Sequence, residues 1–265
     1  MEQKIKKIAL LTGGGDCPGL NAVIRAVTKT AILNYGIEVI GYKFGYRGLY
    51  NNDFVSLNLD SVAGILHRGG TILYSSNKDN LFDYLVEENG VMVKKDVSDV
   101  ANENLKREGV DVLVVIGGDG TLTSARDFAR KGVNVIGVPK TIDNDLRTTT
   151  IHGYKGKDIE VCLCPGFPSA ANSVVEYTQK IRTTASSHNR VMVLEVMGRH
   201  AGWLTGTSSY GFADMALIPE IEITKERKEK FFEKVKEKYQ ENNYLIIAVS
   251  EGTRWYNDQT GQVEE

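Results

Sequence analysis

The segment 112–145 constrains the fold most, because it holds two apolar runs that each end in glycines or acidic residues. The runs at 112–116 and 133–138 have the length and the β-branched content of buried strands, and the residues between them have helical character. This alternation predicts a parallel sheet. A Gly-Gly-Asp-Gly turn at 117–120 follows the first run, and Lys-Thr-Ile-Asp-Asn-Asp at 140–145 follows the second. Since ligands of such sheets bind beyond the carboxyl ends of the strands, we expect a site there.

The chemistry of these two loops points to phosphate. Glycines at 117, 118 and 120 let backbone N–H groups approach phosphate oxygens without a Cβ in the way. Three carboxylates stand in the same two loops, at Asp119, Asp143 and Asp145. Anions repel one another, so carboxylates beside a phosphate cradle indicate bridging by Mg2+ or abstraction of a proton.

The amino terminus repeats the pattern of strand, glycine turn and helix. A short apolar strand at 8–11 leads into Thr-Gly-Gly-Gly-Asp-Cys-Pro-Gly at 12–19, and a helical pattern follows at 20–35. One such turn suits an ordinary strand-to-helix connection as well as a phosphate site. It is neither a Walker A loop, which needs Gly-Lys-Ser/Thr, nor a GxGxxG fingerprint. Two glycine turns together with the acidic loop favour a phosphate site.

The whole chain alternates strands with helices, which predicts an α/β protein with largely parallel sheets. With 265 residues, of which 42% are hydrophobic, the chain can bury a sizeable core and form two lobes. The predicted strands are 8–11, 38–43, 112–116, 133–138, 191–196, 214–218 and 244–249. The predicted helices are 20–35, 60–66, 100–108, 121–131, 169–185, 200–210 and 225–241.

Composition excludes several classes of function. A net charge of −2 argues against a general nucleic-acid or membrane-surface binder. No apolar run approaches the roughly 20 residues that span a bilayer, and the start reads as a strand rather than a signal peptide. Cys162 and Cys164 are too close in sequence for an easy disulfide and lack a second ligand pair for zinc. We therefore expect reduced thiols and a cytoplasmic location.

Six motifs together resemble the 6-phosphofructokinase family in order and spacing. They are LTGGGDCPGLNAVIR, GGTIL, IGGDGT, PKTIDND, SSHNRVMVLEVMGR and the Pro-Glu pair at 219–220. The resemblance implies two Rossmann-like lobes and transfer of a phosphoryl group to the 1-hydroxyl of fructose 6-phosphate, giving fructose 1,6-bisphosphate. Residues 1–154 would form the donor lobe for ATP and Mg2+, and residues 155–265 the sugar-phosphate lobe.

The resemblance also assigns roles to the acidic loops. Asp143 would be the general base for the sugar hydroxyl, although an isolated aspartate at such a position commonly forms an Asx turn or a helix cap. Thr141 would hydrogen-bond the reacting phosphoryl or hydroxyl group, and Asp145 would support Asp143 or the metal. Asp119 would be the Mg2+ ligand, directly or through water, because Mg2+ keeps several waters and takes few carboxylates.

The cations would come from the second lobe. Arg199 resembles the arginine that neutralises the transferring phosphoryl group, and Arg190 resembles the one that reaches the sugar 6-phosphate across a subunit interface. Glu251 matches a ligand of the sugar hydroxyls. The remaining positions that the resemblance assigns to the sugar are Ile142, Met197 and Gly198. Those that it assigns to the donor are Gly14, Asn77, Lys78, Gly118, Asp119, Gly120 and Thr121. Because Arg190 would serve a neighbouring subunit, we expect a homodimer or a homotetramer.

Two positions bear on the phosphoryl donor. In the resembled family an aspartate at the position of Gly120 fills the room that the α-phosphate of ATP needs, so glycine favours ATP. Lysine at the position of Lys140 is typical of enzymes that use pyrophosphate, but it also accompanies glycine in a branch of ATP users. ATP is the favoured donor because steric exclusion is the harder constraint, and a pyrophosphate-dependent phosphotransferase remains the alternative.

Three departures from the family pattern stand out. Asn77 replaces an arginine that bridges donor and sugar, and Lys78 supplies charge there without bidentate geometry. The stretch 146–165 is longer than the usual family connection, which predicts an insertion near the active site. The family also continues with a His-Ile-Gln-Arg-Gly-Gly segment that has no equivalent here, so we expect a chain truncated at the carboxyl end. A non-catalytic binding subunit or an inactive fragment is therefore a further alternative.

Overall fold

A computed structural model describes residues 5–146, 149–161 and 164–264, and the chain divides into two compact units. Unit 1 comprises Met1–Thr141 and Cys164–Gly166, and unit 2 comprises Ile142–Leu163 and Phe167–Glu265. The predicted boundary at residue 154 differs from this division. The chain leaves unit 1 at Thr141 because the last strand of its sheet ends just before, at Pro139, and it returns for three residues.

Unit 1 is built on one five-stranded sheet with helices and a hairpin around it. Its elements in chain order are β1 (Lys7–Thr12), α1 (Leu20–Tyr35), β2 (Glu38–Tyr42), α2 (Tyr46–Asn51), β3 (Phe54–Leu57), β4 (Tyr84–Glu88), β5 (Val91–Lys95), α3 (Ser98–Arg107), β6 (Val112–Gly117), α4 (Asp119–Arg130) and β7 (Val135–Pro139). The strand order is β3-β2-β1-β6-β7, all parallel except β3, which pairs antiparallel with β2. Strands β4 and β5 form a separate hairpin.

The central strands are the most apolar, as expected of strands that are covered on both faces. Every residue of β6 is buried, and β1 is buried after its first residue. Helix α1 ends at Tyr35 because Gly36 takes a left-handed conformation, φ +64°, that glycine adopts without steric cost. Sheet and helices enclose a core that includes Leu11, Tyr42 and Phe128.

The direction in which the chain adds strands to the sheet reverses between β1 and β6, and this point marks the candidate site of unit 1. From β1 the chain proceeds to β2 on one side, whereas from β6 it proceeds to β7 on the other. The carboxyl ends are level, because Thr12 lies opposite Ile116 and Gly117 opposite Pro139. The loops after β1, β6 and β7 therefore meet at the edge where open parallel sheets bind ligands.

Unit 2 contains a three-stranded parallel sheet of order β10-β12-β11. Its elements in chain order are β8 (Thr149–Tyr154), β9 (Lys157–Val161), α5 (Phe167–His188), β10 (Val191–Val196), α6 (Trp203–Thr207), β11 (Met215–Leu217), α7 (Lys225–Asn242), β12 (Leu245–Ser250), β13 (Trp255–Asn257) and β14 (Gln262–Glu264). The strand β12 is central and largely buried. Val196 and Ser250 lie opposite each other at the ends of β10 and β12, so the loops after these strands are adjacent.

The α/β class with mostly parallel sheets is confirmed, and every predicted strand forms. Two helix predictions are wrong in whole or in part. Residues 60–66 form turns, because Gly64 has φ +67° and interrupts the helical spacing of the buried residues Val62 and Ile65. The helix predicted at 200–210 is limited to α6, and a 3-10 turn, Ser208–Gly211, follows it.

The long stretch 146–165 contains the antiparallel hairpin β8–β9. The His152 ring lies 3.0 Å from the Asp158 carboxylate, which also accepts a hydrogen bond from Gly153 N. Cys164 is buried, whereas Cys162 lies outside the described residues. Across the described part of the chain, no helix has both the length and the apolar character that a membrane crossing requires.

Candidate active site

The first glycine turn, after β1, is fixed by its own backbone. Gly13 N donates to Ile116 O at 2.9 Å, and Gly14 N donates to Ser76 O at 2.9 Å. Gly14 has φ +80°, which favours glycine. Ser75 Oγ also donates to Gly14 O. The turn is therefore tied both to the neighbouring strand β6 and to the segment that precedes Asn77.

Thr121, in the first turn of α4, packs against both glycine turns. A Cβ built on Gly13 would lie 2.7 Å from Thr121 Cγ2, and one on Gly117 would lie 2.5 Å from Thr121 Cβ. Any larger residue at either glycine would displace the threonine. Tyr46 fixes the same point, since its hydroxyl donates to Thr121 O at 2.8 Å. Burial raises the pKa of Tyr46, so this hydroxyl remains a donor.

The amino terminus of α4 opens to solvent. Asp119 is exposed and is the first residue of the helix, next to Gly118 at the cap position. A Cβ built on Gly120 meets no atom within 4 Å. The amino end of this helix attracts anions through its unpaired N–H groups and its dipole. Open space lies where a side chain at position 120 would project.

Lys140 brings a cation to the first glycine turn. Its side chain is 5% exposed, and Nζ donates to Gly15 O. A Cβ on Gly14 would lie 3.6 Å from the same Nζ. The backbone N–H of Lys140 donates to Gly117 O at 2.9 Å, which places the lysine directly after the sheet edge. The ammonium group therefore lies beside the turn that was predicted to bind phosphate.

Thr141 and Asp143 stand where the chain passes from unit 1 to unit 2. Thr141 is half-buried and pairs with Gly166 in an isolated parallel bridge. Asp143 is 8% exposed, and Asn144 beside it has φ +55°. Cys17 lies against the same short return segment, since its thiol donates to Pro165 O at 3.6 Å. Burial raises the pKa of Cys17 to about 11, so the thiol is neutral at physiological pH.

In unit 2 the structure brings together Gly198, Arg199 and Glu251. Glu251 Oε1 accepts a hydrogen bond from Gly198 N at 3.1 Å and another from Arg199 N at 2.8 Å. Met197 precedes them and is 60% exposed. Both loops follow the paired ends of β10 and β12, which explains the contact.

Arg190 lies at the opposite end of β10 from Arg199. It immediately precedes the strand, and its carbonyl accepts a hydrogen bond from Leu245 N at 3.2 Å. A strand of 6 residues spans roughly 20 Å. Within one chain, Arg190 therefore does not join the group formed by Arg199 and Glu251.

Two residues near the predicted donor positions were missed by the sequence reasoning, since Ser75 and Ser76 bond the first glycine turn. Beside α4, Ser124 Oγ donates to Asn80 Oδ1 at 3.1 Å. The polar run that follows the GGTIL motif is the signal that could have indicated the serines. Asn77 and Lys78, which were predicted, are both exposed.

The metal prediction rests on Asp119 alone. Among the residues that the structure describes, no group of three or more His, Cys, Asp or Glu side chains could hold a metal ion. One exposed carboxylate at a helix amino terminus fits Mg2+ that arrives bound to phosphates, because Mg2+ commonly uses one or two carboxylates plus substrate oxygens. It does not fit a metal held by protein ligands alone.

Comparison with known proteins gives consistent results. Residues 7–265 match the family described as phosphofructokinase. The chain is 65% identical over 257 residues to ATP-dependent 6-phosphofructokinase 2 of Clostridium perfringens, a match that covers 96% of this chain and 66% of that protein. It is 42% identical over 247 residues to the pyrophosphate--fructose 6-phosphate 1-phosphotransferase of Amycolatopsis methanolica, covering 93% of this chain and 65% of that protein.

Among solved structures, Pichia pastoris phosphofructokinase in the T-state matches with a TM-score of 0.77 at 32% identity. That match covers 96% of this chain and 26% of the Pichia chain. The chain spans about two thirds of the length of the two bacterial relatives, 66% and 65%. The resemblance that the six motifs indicated is confirmed, and the chain belongs to the phosphofructokinase family.

Proposed function

We propose that the protein is an ATP-dependent 6-phosphofructokinase. It transfers the terminal phosphoryl group of ATP to the 1-hydroxyl of fructose 6-phosphate and so forms fructose 1,6-bisphosphate. The observation that carries the choice of ATP is the open space at Gly120, where a Cβ meets no atom within 4 Å. A side chain at this position would project into that space, which glycine leaves open.

The donor phosphates would bind the first glycine turn and the amino terminus of α4. Gly118 and Thr121 would offer backbone N–H groups at the amino terminus of α4. Gly14, which has no side chain, would let a phosphate approach the first turn, and the neighbouring loop would contribute Asn77 and Lys78. Mg2+ bound with the nucleotide would neutralise phosphate charge and be held by Asp119. Phosphoryl transfer depends mainly on alignment and charge neutralisation, so the family needs no covalent enzyme intermediate.

The acceptor residues follow from the same assignment. Asp143 would take the proton of the sugar 1-hydroxyl, and Thr141 would donate a hydrogen bond to the reacting group. Arg199 would neutralise the transferring phosphoryl group, for which a planar guanidinium is well suited. Asp143 is 8% exposed, so a base at this position would be largely shielded from bulk water.

Other residues would bind the sugar. Glu251 would bind the sugar hydroxyls, and Ile142, Met197 and Gly198 would line the same substrate. Arg190 would bind the 6-phosphate of a sugar held by a neighbouring subunit. The position of Arg190 at the far end of β10 from Arg199 supports this role. A site shared between subunits would in turn require a homodimer or a homotetramer. A cytoplasmic location is part of the proposal, because free sugar phosphates and ATP are its substrates.

Mixing two inactive variants tests the shared site. Asp143→Asn and Arg190→Ala are purified separately, then mixed and allowed to exchange subunits. If Arg190 serves a neighbouring subunit, the mixed oligomers contain some sites with both residues intact and recover activity. Recovery no greater than the sum of the two separate activities would refute the assignment of Arg190.

A pyrophosphate-dependent phosphotransferase is the second candidate function, and Lys140 favours it. Its ammonium lies beside the first glycine turn, where it would meet a phosphate of either donor. Production of fructose 1,6-bisphosphate is measured with ATP and with pyrophosphate in separate reactions. The proposal predicts product with ATP. Product with pyrophosphate alone would make Lys140 the deciding residue, and nucleotide binding without product would favour a non-catalytic subunit.

A further inference from the structure

The turn that carries Arg199 has a strained backbone. Arg199 has φ +52° and Gly198 before it has φ +144°. A long side chain rarely occupies the left-handed region, and such a residue persists where its surroundings enforce the conformation. Glycine is required before Arg199, because a Cβ on Gly198 would lie 2.5 Å from Ala201 O.

The carboxylate of Glu251 holds this turn. Its single oxygen Oε1 accepts from the two successive amides, Gly198 N at 3.1 Å and Arg199 N at 2.8 Å. Hydrogen bonds to an ionised acceptor are roughly twice as strong as neutral ones. Among the described residues the other oxygen, Oε2, has no hydrogen bond, so it stays accessible to a substrate.

Both partners are anchored to the sheet. Glu251 N donates to Val196 O at 3.0 Å, which extends the pairing of β12 with β10 by one residue. Ala201 N donates to Gly198 O at 2.9 Å and closes the turn from the other side. The carboxylate and the two amides are therefore placed by two paired strands of one parallel sheet.

We propose that Glu251 is a positioning residue for Arg199. By fixing the left-handed turn, its carboxylate sets the direction in which the arginine side chain leaves the backbone. This rests on the proposed function, in which Arg199 neutralises the transferring phosphoryl group. It adds to the sugar-binding role of Glu251, which uses the other oxygen of the same carboxylate.

Glu220 provides a matched control in the same unit. Its Oε1 accepts from Gly202 N at 2.8 Å, so it too is a carboxylate bonded to a backbone amide. Gly202, however, has an ordinary φ of −84°. Removing the Glu220 carboxylate deletes the same kind of bond without releasing a strained residue.

Amide hydrogen exchange tests the proposal without any need for activity. Glu251→Ala, which deletes the acceptor, is compared with Glu251→Gln, which keeps an acceptor oxygen, and with Glu220→Ala. We expect exchange at the amides of 198 and 199 to accelerate about tenfold or more in Glu251→Ala and clearly less in Glu251→Gln. Glu220→Ala should accelerate exchange at 202 only. Unchanged exchange at 198 and 199 in Glu251→Ala would overturn the proposal.

Kinetics separate positioning from sugar binding. Both Glu251 variants lose the charge that faces the sugar, so both should raise KM for fructose 6-phosphate. The positioning role predicts an additional loss of kcat, about tenfold, in Glu251→Ala relative to Glu251→Gln. Equal kcat values in the two variants would contradict it. Absence of product from the unaltered protein would refute the proposed function instead, and the exchange experiment would still test the turn.

Discussion

Replacing Gly120 by aspartate should convert the donor site from one that accepts ATP to one that rejects it. The position is exposed, and a Cβ there meets no atom within 4 Å, so the new carboxylate projects into space next to the amino terminus of α4. At about 5 Å from a phosphate, like charges repel by roughly 1–3 kcal/mol for effective dielectric constants between 80 and 20. This corresponds to a loss of about 5- to 150-fold in kcat/KM for ATP.

The fold should tolerate this change. Position 120 is the second residue of α4, where an acidic side chain is favourable to the helix dipole and glycine is a poor helix former. We therefore expect the melting temperature to stay the same or to rise slightly.

The assay measures fructose 1,6-bisphosphate with ATP and with pyrophosphate, alongside thermal unfolding. Gly120→Ala is the matched control, because it adds a Cβ without charge and should cost ATP use much less. If folded Gly120→Asp kept a kcat/KM for ATP within about twofold of that of the unaltered protein, the argument that a charge in this open space repels ATP would be refuted.

Three further predictions follow from other parts of the molecule. Asp143→Asn should lower kcat at least about a hundredfold with a smaller change in KM for the sugar, because it removes the general base. Asp158→Asn, in the exposed hairpin, should leave kcat unchanged, and equal effects of the two variants would contradict the assignment of Asp143. Gly198→Ala, at φ +144° and 2.5 Å from Ala201 O, should destabilise the protein by about 2–4 kcal/mol in a denaturant titration, whereas Gly206→Ala, which meets no atom within 4 Å, should cost little. Hydrogen bonds from the backbone amides of Lys6 and Lys7 lower the pKa of Asp111 below its ordinary 3.8. The stability that this carboxylate adds is present above pH 3.8 and lost as pH falls through its folded pKa, so the difference in melting temperature between the protein and Asp111→Asn should vanish in strong acid; a constant difference would refute it.

The sequence predicts the structure best where an apolar run marks a strand and polar or glycine residues mark its end. The apolar runs that end at Thr12 and Gly117 are buried strands, the run that ends at Pro139 is a partly exposed edge strand, and the ends of all three are level in the sheet. Glycines placed immediately after two of these runs predicted the edge of the sheet at which the loops after β1, β6 and β7 meet. The residues in the loops that follow β10 and β12 were assigned from the family resemblance.

Long-range contacts could not be read from the sequence. Lys140 reaches Gly15 across 125 residues, and Glu251 reaches Arg199 across 52. Such contacts depend on strand register and on the geometry of the loops, neither of which local patterns determine. The return of Cys164–Gly166 to unit 1 has the same origin, since it depends on pairing with Thr141.

Short hairpins were missed for a different reason. Strands β4 and β5 are largely exposed, with only Tyr84 buried, so they lack the apolar signal that marked the central strands. Val62 and Ile65 have helical spacing, which favours the helix predicted at 60–66, but this segment forms turns. Gly64, in a left-handed conformation between them, outweighs that periodicity.

The most direct test of the account is the donor assay on the unaltered protein. Fructose 6-phosphate and Mg2+ are incubated with ATP or with pyrophosphate, and fructose 1,6-bisphosphate is quantified in each. The open position at Gly120 predicts product with ATP. Product with pyrophosphate alone, or none with ATP despite nucleotide binding, would contradict the central claim.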